Sequence, residues 1–203
     1  MKTLGFAWGI GGIVLLLLFA VVRLGPMALE LSSQELQQIH WFALAVSVLY
    51  MAYAEGYKGF FLAFAPRVIA RATYLQANPR PLHVLLAPVF CMGYIYATRK
   101  RKLLSFGLTG MIICFVLLVR LLPQPWRGIV DAGVVTGLIL GIASILYFLS
   151  QRLRYPERPG VGADVPEPTD ARGHVLLTDR WLEHAEPAEG PPQLQLRDHR
   201  DLQ

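Results

Sequence analysis

Few groups in this sequence have the chemistry for binding or catalysis, and they stand at the edges of apolar runs. Glu55 is followed three positions on by Lys58, a spacing that puts both on one face of an α-helix. Tyr50, Tyr53 and Tyr57 form a stripe beside them. One reading is a polar pocket in which Glu55 binds a cation or a headgroup amine, or relays protons. The plainer reading is an ion pair inside an interfacial aromatic belt.

A second set surrounds Asp131. Arg127 lies four residues before it, so the two can pair on one helical turn, and an acid early in a helix suits the helix dipole. Arg120 ends the preceding apolar run and is expected to reach the same place. The three together suit an anionic group; the plainer reading is a set that pins a tight external loop. His83, after Pro81, and His40, beside Trp41, each open an apolar run, where a polar tip meets water. Neither has a second histidine at metal-ligand spacing, so no metal site and no cofactor are expected. Cys91 and Cys114 lie within apolar runs, form no C-x-x-C pair, and read as small packing residues. The zinc-protease, P-loop and nucleophile-elbow signatures are absent from the sequence.

The elements that carry these groups follow from where the charges are missing. Only 16% of the 203 residues are charged, against about a quarter in soluble domains. Residues 1–151 hold twelve bases and four acids, a net +8; residues 152–203 hold seven bases and ten acids, a net −3. Five stretches carry no acid, lysine or arginine: 3–22, 36–54, 81–98, 103–119 and 132–151. They are 20, 19, 18, 17 and 20 residues long. About 20 apolar residues in a helix cross a hydrocarbon core of about 30 Å. Helix is the required state, because lipid satisfies no backbone hydrogen bonds. The fold class is therefore all-α: a polytopic, multi-pass membrane domain over residues 1–154 with four to five hydrophobic helices.

Boundaries come from prolines and charges. The first run lacks a small-x-small cleavage site and reads as a retained helix ending at Gly25-Pro26. Phe60, Phe61, Phe64 and Val68 recur at helical spacing with Arg67 and Arg71 flanking them. That segment reads as an interfacial amphipathic helix or a bent extension of the second span, kinked or restarted at Pro66. From residue 155 the composition turns to proline, acid and glycine, and residues 155–203 are expected to be a soluble, mostly disordered tail. Within it, residues 174–184 form an apolar island, read either as a transient patch in a solvated tail or as a short helix that docks on a partner or a membrane surface.

Basic residues orient such a chain. If residues 81–98 cross fully, the N-terminus is outside and eight bases lie inside against seven outside. If they dip in and return, both termini are inside and the count becomes twelve against three. The stretch is short and carries Pro88, which favours the second arrangement, with the C-terminus cytoplasmic and the chain in the cell inner (plasma) membrane. The flanking bases suit lipid headgroups and not nucleic acid.

Small residues indicate how the helices meet. Gly133, Gly137 and Gly141 stand four apart in the last run, and Gly5 and Gly9 in the first. This spacing lets another backbone approach closely in lipid. The partner is either a second copy, making a homo-oligomer seam, or another helix of the same chain, such as the first against the last. The function expected is a scaffold or accessory subunit of a membrane complex, with a membrane protein as partner. A small transporter or channel component, with Glu55 and Asp131 in its path, is the alternative. A lipid-modifying enzyme is the third reading; no nucleophile–base pair supports it, so the sequence leans away from an enzyme.

Overall fold

The computed structural model describes residues 2–155 and 162–164. Apart from residues 155 and 162–164, the tail expected from the sequence, including the island at 174–184, lies outside these residues. Among the described residues the chain is all-helical. Helix α1 runs Lys2–Leu29 and ends in a 3-10 turn, Glu30–Ser33. Helix α2, Gln38–Met51, passes into a π-helix, Ala52–Phe64, and then into α3, Ala65–Ala77. Two five-residue helices follow, α4 at Pro81–Leu85 and α5 at Ala87–Cys91. Helix α6 spans Arg99–Arg120 and α7 spans Trp126–Arg154. Three helices are long and apolar enough to cross a membrane: Thr3–Ser33, Arg99–Arg120 and Trp126–Arg154, with mean hydropathy of 2.4, 2.2 and 2.2.

Two boundaries bear on the sequence expectation: the first differs from it, and the second is the interruption that Pro88 favours. Helix α1 does not stop at Gly25-Pro26 but carries Pro26 inside it. A proline forfeits one helical bond. Here the continuation packs on α7: Leu31 and the Met27 carbonyl occupy the space in front of Gly128. The run 81–98 is not one helix either. Its two helices are each about 7.5 Å long at 1.5 Å per residue. Prolines at the start of each, Pro81 and Pro88, set helical φ but break the preceding turn. Gly93, at φ +88°, reverses the chain; an added Cβ there would lie 3.0 Å from Arg101 Nε and 3.1 Å from Ser105 Oγ.

Pair contacts give the directions. Gly133, Gly137 and Gly141 of α7 meet Ser47, Glu55 and Phe60 in turn, so α2 and the π-helix run parallel to α7. Met27, near the end of α1, meets Arg127 and Gly128 at the start of α7, so α1 runs antiparallel to α7. Gly5, Gly9 and Gly12 of α1 meet Val84, then Ala87 and Cys91, then Pro88, so α4 and α5 climb alongside the first half of α1. Trp8 Nε1 donates to the Leu85 carbonyl at 3.1 Å at the same seam. The core lies where α1, α3, α5 and α7 meet, around Ile13, Val68, Leu75, Phe90 and Ile145.

The glycine stripes are thus filled within the chain. The stripe on α7 receives α2 and the π-helix, and the stripe on α1 receives α4 and α5. Residues 65–77 continue the second helix; their buried face is Val68, Ile69, Arg71, Ala72 and Leu75. Helix α6 stands apart from this core. Only Ser105 and Val119 are buried in it, and its leucines, isoleucines and phenylalanines are exposed on every side.

Candidate functional site

The π-helix decides the surroundings of Glu55. Bonding from i to i+5 makes residues four and five apart the vertical neighbours, in place of three and four. Tyr53, Tyr57 and Phe61 accordingly stack in a column at 6.2 and 5.9 Å between centroids. Lys58 turns back over the Tyr53 ring, five residues earlier, at 5.1 Å. The expected pairing of Glu55 with Lys58 is therefore not found among the described residues; the i, i+3 rule behind it belongs to α-helices. Glu55 instead faces α7, where its Oε2 would be 2.8 Å from a Cβ at Gly137.

Asp131 is buried, 4% exposed, with Arg127 Nε 3.8 Å from Oδ2. Arg127 also donates from Nη2 to Met27 Sδ at 2.8 Å, tying the two helix ends together. Arg120 is exposed at the end of α6 and makes no bond to Asp131 among the described residues. The anionic-group site expected from Arg120, Arg127 and Asp131 is not assembled. His40 closes the same end: its Nδ1 accepts from the Gln37 N–H at 3.2 Å, and its ring meets Trp126 edge-on at 5.3 Å.

The residue that sequence reasoning missed is Arg71. Read as a basic flank of an amphipathic face, it is 1% exposed. Its Nε donates to the Phe90 carbonyl at 2.7 Å, and Nη2 to the carbonyls of Ile95 and Tyr96 at 2.8 and 3.1 Å. Nη1 donates to the Ala163 carbonyl at 2.7 Å and to that of Asp164 at 3.5 Å. The guanidinium carbon lies 4.5 Å from the Phe90 ring centroid. A planar fork with five donors fits such a set of carbonyls, and a lysine would not. The only sequence signal is its place three and four residues from Val68 and Leu75, on the apolar side of α3. Arg71 thus holds the end of α5, the return of the hairpin and residues 163–164 at one point. The Thr98 N–H also donates to the Asp164 carbonyl, at 3.1 Å.

His83 sits beside this hub. Its ring stacks on Phe90 at 5.2 Å and tilts against Tyr96 at 5.4 Å. It opens onto a cleft of about 240 Å³ lined by Tyr74, Asn78, Pro79, Arg80, His83 and Tyr96. Among the described residues no three histidine, cysteine or acid side chains converge as for a metal ion.

No protein-family model matches the chain, and neither curated proteins nor solved structures show a significant match to it.

Proposed function

We propose that the chain is a scaffold or accessory subunit of a membrane complex and that α6 is the helix it offers to a partner. The observation that carries this reading is the contrast between the helices. All four glycines of α7 and Gly5, Gly9 and Gly12 of α1 are matched inside the chain, whereas both glycines of α6, Gly107 and Gly110, have no atom within 4 Å of an added Cβ, as is also so for Gly11 and Gly25 of α1. Helix α6 is held mainly at its base, by Ser105 Oγ donating to the Met92 carbonyl at 3.1 Å and by the Tyr94–Thr109 hydroxyl pair. Small residues open to lipid are what a second helix uses to approach.

The reading includes a topology. The continuous helical run from Gln38 to Ala77 serves as a crossing beside α1, α6 and α7, giving four full spans, and residues 81–97 form a half-inserted hairpin. The antiparallel α1 and α7 support an arrangement with both termini on one side. The basic run at 99–102 and Arg152 and Arg154 support assigning that side to the cytoplasmic face of the plasma membrane.

A photoreactive side chain at position 110 tests the function. The expected result is one discrete adduct with a single heterologous membrane protein, while the same probe at Phe19, exposed on α1, labels lipid. Adducts of α6 with lipid alone, or with a second copy alone, would overturn the proposal.

A second reading, a transporter component, rests on Glu55. Its carboxylate lies in a helix interface against Gly137 without a hydrogen bond or ion pair among the described residues. It requires that Glu55→Gln abolish a flux measured in liposomes; the scaffold reading requires that the α6 adduct survive that substitution.

A further inference from the structure

We infer that the cleft between the end of α3 and the hairpin is a binding site for a phosphate monoester, with Arg80, His83, Tyr74, Tyr96 and Asn78 as its donors. The lining supplies hydrogen-bond donors and positive charge and no carboxylate. Arg80 is exposed, with its guanidinium carbon 5.4 Å from the centroid of Tyr96, so one face of the fork is braced and its N–H edge is free to meet an anion. Tyr74 and Tyr96 stack at 6.5 Å, placing two phenols side by side. Asn78 closes the rim, its amide donating at 3.4 Å to the Tyr74 carbonyl and keeping a second N–H. His83 is held between Phe90 and Tyr96 and offers a ring N–H to the same space.

The cleft is also built at a cost that packing alone does not require. Tyr96 is a non-glycine residue at φ 48°, a backbone conformation that is unfavourable for a bulky side chain. Such outliers persist where the surroundings enforce them, and they cluster at ligand sites. Here the enforcing group is Arg71, which donates to the carbonyls of both Ile95 and Tyr96. At this φ the Tyr96 ring lies against His83 and Arg80. An ammonium group would enjoy the aromatic walls but would be repelled by Arg80. A phosphate meets bidentate guanidinium chemistry and neutral donors together.

The ester can come from an anionic lipid headgroup or from a soluble phosphate compound, and the site does not depend on whether α6 meets a partner. The test is thermal unfolding of the full chain in neutral detergent micelles. Micelles are doped with phosphatidic acid or with phosphatidylcholine, and separate samples receive glycerol phosphate. Phosphatidic acid is expected to raise Tm and phosphatidylcholine to leave it unchanged. The rise should disappear in Arg80→Gln and in His83→Ala, whose unliganded Tm values serve as the check on folding. It should persist in Arg120→Gln, which removes an exposed cation elsewhere. If glycerol phosphate reproduces the rise, the ligand is soluble; if only the lipid does, it is a headgroup. An equal rise in wild type and in Arg80→Gln, or no rise with either phosphate ester, overturns the inference.

Discussion

Glu55 occupies the space that Gly137 leaves empty. A Cβ on residue 137 would stand 2.8 Å from Glu55 Oε2 and 3.1 Å from Glu55 Cβ. The contact exists because of the π-helix. Met51 and Glu55 are four apart, but the next residue to enter the glycine stripe of α7 is Phe60, five further on, while Gly56 packs beside the stripe on Leu140. Continued α-helical spacing would bring Lys58 or Gly59 to Gly141 instead. The register shift puts an aromatic ring into the glycine stripe and swings the lysine out over Tyr53.

Alanine substitutions along that stripe should therefore rank by what the new methyl meets. Gly133→Ala strikes the Ser47 side chain and its backbone carbonyl at 3.0 Å. Gly137→Ala meets a carboxylate whose end can swing but whose Cβ cannot. Both should destabilise, by about 1–3 kcal/mol as overpacked sites do, with Gly133 the worse. Gly11→Ala and Gly110→Ala meet nothing within 4 Å and should be neutral or slightly stabilising. Tm of the four variants in detergent gives the order. A Gly133→Ala protein as stable as Gly11→Ala would refute the packing described.

Replacing Arg71 by lysine keeps the charge and loses the fork. Hydrogen bonds to a charged group each contribute about 1.5–3 kcal/mol, and at least two must fail with a lysine. A loss of about 3 kcal/mol in local stability follows. The reporter is Cys91, 1% exposed beside Phe90. If the hairpin opens locally, maleimide labelling of Cys91 should speed up by about a hundredfold in Arg71→Lys, since each 1.4 kcal/mol is a factor of ten. An unchanged rate would show that Arg71 does not hold the hairpin.

Arg71 also makes residues 163–164 part of the helical unit. A chain ending after Tyr155 loses the Ala163 and Asp164 carbonyls and should melt several degrees below the full chain. A chain ending after Pro166 should match the full chain. Equal Tm values for the two truncations would mean that these carbonyls contribute nothing.

The proposed topology predicts which positions face the medium. In a Cys114→Ala background, cysteine at position 123, in the turn between α6 and α7, should react with an impermeant maleimide added to intact cells. Cysteine at positions 2 or 78 should react only after the membrane is opened. Labelling of position 2 from outside would require five crossings.

Charge spacing and composition alone made the described part of the chain legible as helical and located its apolar lengths. In lipid the backbone must bond within its own segment, so length and the absence of charge suffice to specify helix, as they do for α1, α6 and α7. Prolines 81 and 88 also made the short run 81–98 legible as an interrupted one. What each side chain touches was decided only by tertiary structure. Gly137 carries no mark that its neighbour is Glu55, and the widened turn over residues 52–64 has no signature in composition. Arg71 is the clearest case. On the sequence it is one more base in a basic flank, because charge favours water whenever water is available. Folding brings five backbone carbonyls from three distant segments around it, and a guanidinium surrounded by acceptors is stable where a solvated surface arginine was expected. Helix formation is a local bond pattern and can be read residue by residue; acceptors supplied by residues 90, 95, 96, 163 and 164 exist together only after the chain has folded.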